Sequence, residues 1–124
     1  MTFSDDTTPL AALRARVAEF VRARDLAQYH APKNLAMAIA CEAAELMELY
    51  LWVDAPASRE VTADAAKRAR VEDEAVDIAI CLLNLCNVVG IDLSAAVERK
   101  LGEADAKYPA DKVRGRAEKY SDYE

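Results

Sequence analysis

A chain of 124 residues carrying a formal net charge of −6 suits one domain, and its acidity disfavours wrapping a nucleic-acid backbone or an anionic membrane. No apolar stretch is long enough to cross a bilayer, and the start, MTFSDDTTPLAAL, lacks a cationic segment followed by an apolar run, so no secretory signal is expected. Three Gly and four Pro among abundant Ala, Leu, Glu, Lys and Arg favour helix, and the β-branched residues are too scattered to mark a strand.

Four helices are predicted. The first opens at Thr8-Pro9, with the Thr hydroxyl as cap and Pro at the first helical position. It runs to about Arg24, with Leu10, Leu13, Val17, Phe20 and Val21 on one face. The second runs from Pro32 to about Trp52. It carries a stripe at Leu35, Ile39, Glu42, Leu46, Leu49 and Val53, the spacing of a core-facing seam, and one member of that seam is a glutamate. A loop over 54–61 follows. Thr62 is the expected cap of a third helix over 63–89, stopped by Gly90. Within Ala75–Val89 only Asp77, Asn84 and Asn87 are polar, so this helix is expected to be buried on nearly all sides, and a short chain would need a subunit interface to cover it. A fourth helix, capped by Asp92 or Ser94, ends near Tyr108-Pro109. The expected domain is thus single and all-α over 1–124, with its core at about 8–109 and an extended charged tail at 110–124. Cys41, Cys81 and Cys86 lie inside apolar helical stretches without paired spacing. They read as reduced, buried thiols of a reducing, cytoplasmic compartment.

The chemistry is concentrated in four carboxylates. Glu42 and Glu45 are three residues apart, as are Glu74 and Asp77. Residues so spaced lie about 60° apart around a helix and share a face. If the second and third helices pack antiparallel, all four converge. Two like charges about 4 Å apart repel by roughly 4 kcal/mol at an effective dielectric near 20, so convergence calls for a divalent cation. Oxygen-only ligands suit Mg²⁺ or Mn²⁺. With His30 as the single histidine, zinc and ferritin-like di-iron sites are disfavoured. One Glu-x-x-Glu on a helix usually marks nothing more than a solvated face; two such pairs inside apolar helices are a stronger signal.

Further residues fit a known pattern. Arg24-Asp25 and Gln28-Tyr29-His30-Ala31-Pro32-Lys33-Asn34 precede Glu42-Ala43-Ala44-Glu45 and Trp52. Glu74-Ala75-Val76-Asp77, Lys100 and Lys107-Tyr108-Pro109 with Arg114-Gly115 follow. Over about residues 10 to 120 the chain resembles the MazG-like all-α nucleotide pyrophosphohydrolases, and within them the dCTP pyrophosphatase-like branch. That resemblance implies a four-helix fold assembled as a dimer or dimer of dimers. It implies Mg²⁺-dependent cleavage of nucleoside triphosphates between the α- and β-phosphates, in nucleotide-pool housekeeping. It implies Glu42, Glu45, Glu74 and Asp77 as metal ligands and catalytic groups, with one of them or Glu48 orienting the attacking water. Lys33, Lys100 and Lys107 would hold phosphates; His30, Asn34, Trp52 and Tyr108 would line the nucleotide pocket. Three positions depart from the branch: Leu26 and Cys81 stand where it often has aromatic residues, and Ala104 stands where many members have Asn. These departures bear on base and sugar preference. A helical interaction module that keeps the fold without catalysis is the rival reading.

Overall fold

A computed structural model describes residues 2–119 and residue 121. The chain divides into two compact units, Met1–Gly90 and Ile91–Glu124. Among the described residues all regular structure is helical.

The first unit holds α1 (Leu10–Ala23), α2 (Pro32–Glu48), the short α3 (Ala55–Ser58) and α4 (Ala65–Val89). Pro9 is the residue before α1, and the Thr8 hydroxyl accepts from the Ser4 amide instead of capping the helix. At the other end Asp25 takes the left-handed conformation (φ 49°). There the Leu26 amide donates to the Val21 carbonyl and the Asp25 amide to that of Arg22, the double bond of a Schellman stop. Asp tolerates this backbone better than most non-glycine residues, which explains the Arg24-Asp25 pair. A 3-10 turn, Ala27–Tyr29, then leads to Pro32 at the first position of α2.

Helix α2 stops at Glu48, four residues earlier than periodicity suggests. The Tyr50, Leu51 and Val53 amides instead donate to carbonyls three residues back, so the chain tightens while the apolar pattern continues. The predicted loop contains α3, capped by Asp54, whose carboxylate accepts from the Ala57 amide. A 3-10 turn at Val61–Ala63 absorbs Thr62, and the cap of α4 is Asp64, bonded to the Lys67 amide at 2.9 Å. Gly90, at φ 75°, ends α4 as expected of a residue without Cβ strain.

Helix α4 packs chiefly against α2 and also against α1. The α2–α4 pairing is antiparallel: His30 just before α2 bonds to Asn84, and Leu49 and Val53 beyond its other end share a cavity with Lys67 and Val71. Its predicted stripe holds, with Leu35 buried and Ile39, Glu42, Leu46, Leu49 and Val53 partly buried. The α1 face is narrower than predicted, since Leu13 and Phe20 are exposed. Arg14, turned toward α4, donates from Nε to Asn87 Oδ1, and Asn87 Nδ2 donates to the Arg14 carbonyl.

Within the chain, α4 is less enclosed than its composition suggests. Only Leu83, Asn84 and Cys86 are buried, while Val76, Ile80, Leu82, Val88 and Val89 remain exposed. Cys41, expected to be buried, is also exposed; Cys86 is 1% exposed and Cys81 partly buried, and all three thiols are free.

The second unit consists of α5 (Leu93–Lys107), capped by Asp92 through the Ala95 amide, and a helical turn, α6 (Ala110–Val113). The tail is therefore helical at its start. The last residues of the predicted tail, 120 and 122–124, lie outside the described residues.

Candidate metal centre

Helix geometry fixes the first half of the site. Glu42 and Glu45 project from consecutive turns of α2, and Glu74 and Asp77 from consecutive turns of α4. Antiparallel pairing brings one carboxylate oxygen each from Glu42, Glu45 and Glu74 within 4.8 Å of one another. Asp77 stays outside that group of three, but its charge acts on both Glu42 and Glu74.

The cluster is electrostatically unsatisfied. Glu42 Oε2 and Glu74 Oε2 are buried without a hydrogen-bond partner. The ion pairs among the described residues involve none of the four carboxylates. Loss of water raises the pKa of Glu42, and the charge and close approach of the Glu45 carboxyl and the charge of Asp77 raise it further. Glu74 is raised by burial first, then by the close approach of the Glu45 carboxyl and the charges of Glu45, Asp77 and Glu42. The Cys81 thiol, one turn beyond Asp77, is pushed up by burial and then by the charges of Glu42 and Asp77. A buried polar atom without a partner is costly, and oxygens that can only accept call for a cation. The donor set, all carboxylate oxygen from two rigid helices, fits a hard divalent ion such as Mg²⁺ or Mn²⁺.

Against known proteins, a profile of the MazG-like family matches residues 37–123. The chain belongs to the MazG-like family. This is a family of nucleoside triphosphate pyrophosphohydrolases that use a divalent metal. The chain is 35% identical to dCTP pyrophosphatase 1 of Rattus norvegicus, over 98% of this chain and 71% of that protein. It is 33% identical to dCTP pyrophosphatase 1 of Homo sapiens over the same shares. Among solved structures, a pyrophosphatase from Archaeoglobus fulgidus superposes with a TM-score of 0.77 at 35% identity, covering 87% of this chain and 99% of that one.

The remaining candidate residues of this MazG-like chain are spread along it. His30 is partly buried, with Nδ1 2.9 Å from the amide nitrogen of Asn84. Lys33 is exposed on the first turn of α2, and Asn34 donates from Nδ2 to the Tyr29 carbonyl, so part of its amide is engaged locally. Trp52 is 93% exposed, which excludes a core-plugging role within this chain. Glu48 is exposed and stands apart from the three-carboxylate group; it lines a cavity of about 180 Å³ with Leu49, Val71, Lys67 and Arg70. In the second unit, Lys100 pairs with Glu103 at 3.3 Å, Lys107 ends α5, and Tyr108 is the residue that stops it.

Asn84 was visible in the sequence only as a polar residue in an apolar run. Its partner lies 54 residues away, a separation that helical periodicity cannot bridge.

Proposed function

We propose that the protein hydrolyses (deoxy)nucleoside triphosphates in a Mg²⁺-dependent reaction, water adding at the α-phosphorus to give the monophosphate and pyrophosphate. The observation that carries the reading is the pair of buried, unpartnered oxygens on Glu42 of α2 and Glu74 of α4, gathered with Glu45 in one carboxylate cluster of a MazG-like chain. Glu42, Glu45 and Glu74, completed by Asp77, would hold the ion, with Mn²⁺ able to substitute. Such an ion neutralises phosphate charge and lowers the pKa of bound water.

The chain's own groups supply the rest. A carboxylate of the same set orients the attacking water and takes its proton. Glu48 is less suited to that task than the cluster itself, because it lines a cavity together with Lys67 and Arg70. Lys33, Lys100 and Lys107 supply positive charge for the remaining phosphates. Trp52, with its ring open to solvent, offers a stacking surface for a base, and His30, Asn34 and Tyr108 offer polar contacts. A single MazG-like domain acting as a dimer or dimer of dimers in the cytoplasm completes the reading. The assembly is supported by the exposed apolar side chains of α4; among the described residues no single helix is long and apolar enough to cross a membrane.

The test is product identity. Incubation with each deoxynucleoside triphosphate and Mg²⁺ is expected to release pyrophosphate, and not orthophosphate, from at least one, with the activity lost on chelation. Orthophosphate alone, or no turnover with any triphosphate, would sink the proposal and favour the non-catalytic interaction module.

A further inference from the structure

Three polar residues interrupt the apolar run of α4, and two have an evident use: Asp77 belongs to the carboxylate set and Asn87 ties α1 to α4. Asn84 is the third, and it is 7% exposed. A buried amide is retained at a cost unless its hydrogen bonds are made, and its partner is the only histidine of the chain, His30.

The direction of that bond has a chemical consequence. An amide NH₂ group donates and does not accept. With Asn84 Nδ2 placed 2.9 Å from His30 Nδ1, the contact is a hydrogen bond only when Nδ1 accepts, the tautomer of a neutral imidazole whose ring proton sits on Nε2. Among the described residues, Nε2 has no hydrogen-bond partner, so a directed donor is left available to a ligand.

The position relates this donor to the metal centre. Asn84 is seven residues beyond Asp77, about two turns and roughly 10 Å along α4, on nearly the same face. Cys81 lies between them and senses the charges of Glu42 and Asp77, so the stripe Glu74, Asp77, Cys81, Asn84 is continuous. A triphosphate held at the carboxylates would reach His30 with its nucleoside half.

We infer that Asn84 is a positioning residue that fixes His30 as a neutral Nε2–H donor for an acceptor atom on the nucleoside part of the substrate, a base carbonyl, a ring nitrogen or a sugar oxygen. This rests on the triphosphate reading for its ligand but not for the Asn84–His30 bond.

Because the chain has one histidine, imidazole ¹⁵N resonances report on His30 without assignment ambiguity. In the unmodified protein, at a pH where the ring is neutral, Nδ1 is expected to show the shift of an unprotonated nitrogen and Nε2 that of a protonated one. Asn84→Asp keeps the shape but offers only acceptors, so the tautomer is expected to invert to Nδ1–H. Asn84→Leu removes the donor and is expected to give a mixture. With a turned-over triphosphate, Asn84→Asp is expected to raise KM by about ten-fold, the scale of one hydrogen bond, while kcat stays within about two-fold. The Mg²⁺ concentration for half-maximal rate is expected to stay the same. A protonated Nδ1 in the unmodified protein, or a tautomer indifferent to both substitutions, overturns the inference, and so does an unchanged KM in Asn84→Asp. Should Asn84→Asp fail to fold, the unmodified protein and Asn84→Leu still decide the tautomer. Absence of turnover in the unmodified protein would instead defeat the triphosphate reading, and the tautomer measurement would show separately whether Asn84 controls His30.

Discussion

Glu74 shows most directly how a site can oppose the fold that holds it. In the metal-free protein Glu42 and Glu74 both have raised pKa values, burial being the first cause and neighbouring carboxylates the next. A raised carboxyl binds its proton more tightly folded than unfolded. These groups therefore favour the fold below the ordinary value of 4.5, and that contribution is lost as pH rises through the raised values. Glu74→Gln removes one repelling charge and keeps most of the shape. Its metal-free melting temperature at neutral pH is expected to equal or exceed that of the unmodified protein, with the difference vanishing on the acid side. Activity is expected to fall by roughly 10²-fold or more, the scale of losing one charge-stabilising group, and the Mg²⁺-induced rise in melting temperature to shrink. Thermal melts across pH, with and without Mg²⁺, check this. A mutant that melts well below the parent without metal yet keeps its turnover would overturn the metal assignment.

Helix α4 presents a different mismatch, between an almost wholly apolar run and an open face. At roughly 1.5–3 kcal/mol per fully buried aliphatic side chain, burial of Leu35 and Leu83 is modest for a chain of this length. Val76 and Ile80, 46% and 45% exposed, lie one turn apart on α4. Self-association would remove them from water. We expect an oligomer by light scattering at micromolar concentration, and we expect Ile80→Lys to shift it toward monomer. On an exposed site of the isolated chain the same change costs within about 0.5 kcal/mol, so helicity should survive. A monomeric parent would refute the expectation. The capping errors belong to this scale as well. Thr62 and Asp64 are both acceptable caps, and the choice went to Asp64 because a 3-10 turn already uses Val61–Ala63.

At the scale of the whole molecule, the departures from the dCTP pyrophosphatase-like branch bear on the nucleotide preference that the proposed activity would have. Leu26 is partly buried at the Schellman stop of α1, and Cys81 is a small, partly buried thiol between the carboxylates and Asn84. Neither offers the ring that the branch often places there. Stacking on an aromatic side chain is worth about 1–3 kcal/mol per base, so discrimination should loosen. A kcat/KM panel over canonical and modified triphosphates is expected to show a broader profile than strict dCTP preference, or a different favourite. A dCTP preference of several orders of magnitude would show this argument to be wrong.

Periodicity and composition alone determined that the chain is all-α, that four long helices carry it, and that Glu42 and Glu45, and Glu74 and Asp77, share helix faces. Those features are local, because 3.6 residues per turn fixes angle around an axis. What periodicity does not contain is which face meets which neighbour, and in what register. Tertiary packing decided that Glu45 approaches Glu74 while Asp77 stays outside the closest group. It also left Cys41, Leu13 and Phe20 exposed, and spent two buried-run asparagines on Arg14 and His30, 73 and 54 residues away. An apolar side chain is chosen for leaving water, which many arrangements satisfy, whereas a hydrogen bond or a carboxylate cluster needs one particular alignment of two helices, and that alignment exists only once the chain has folded.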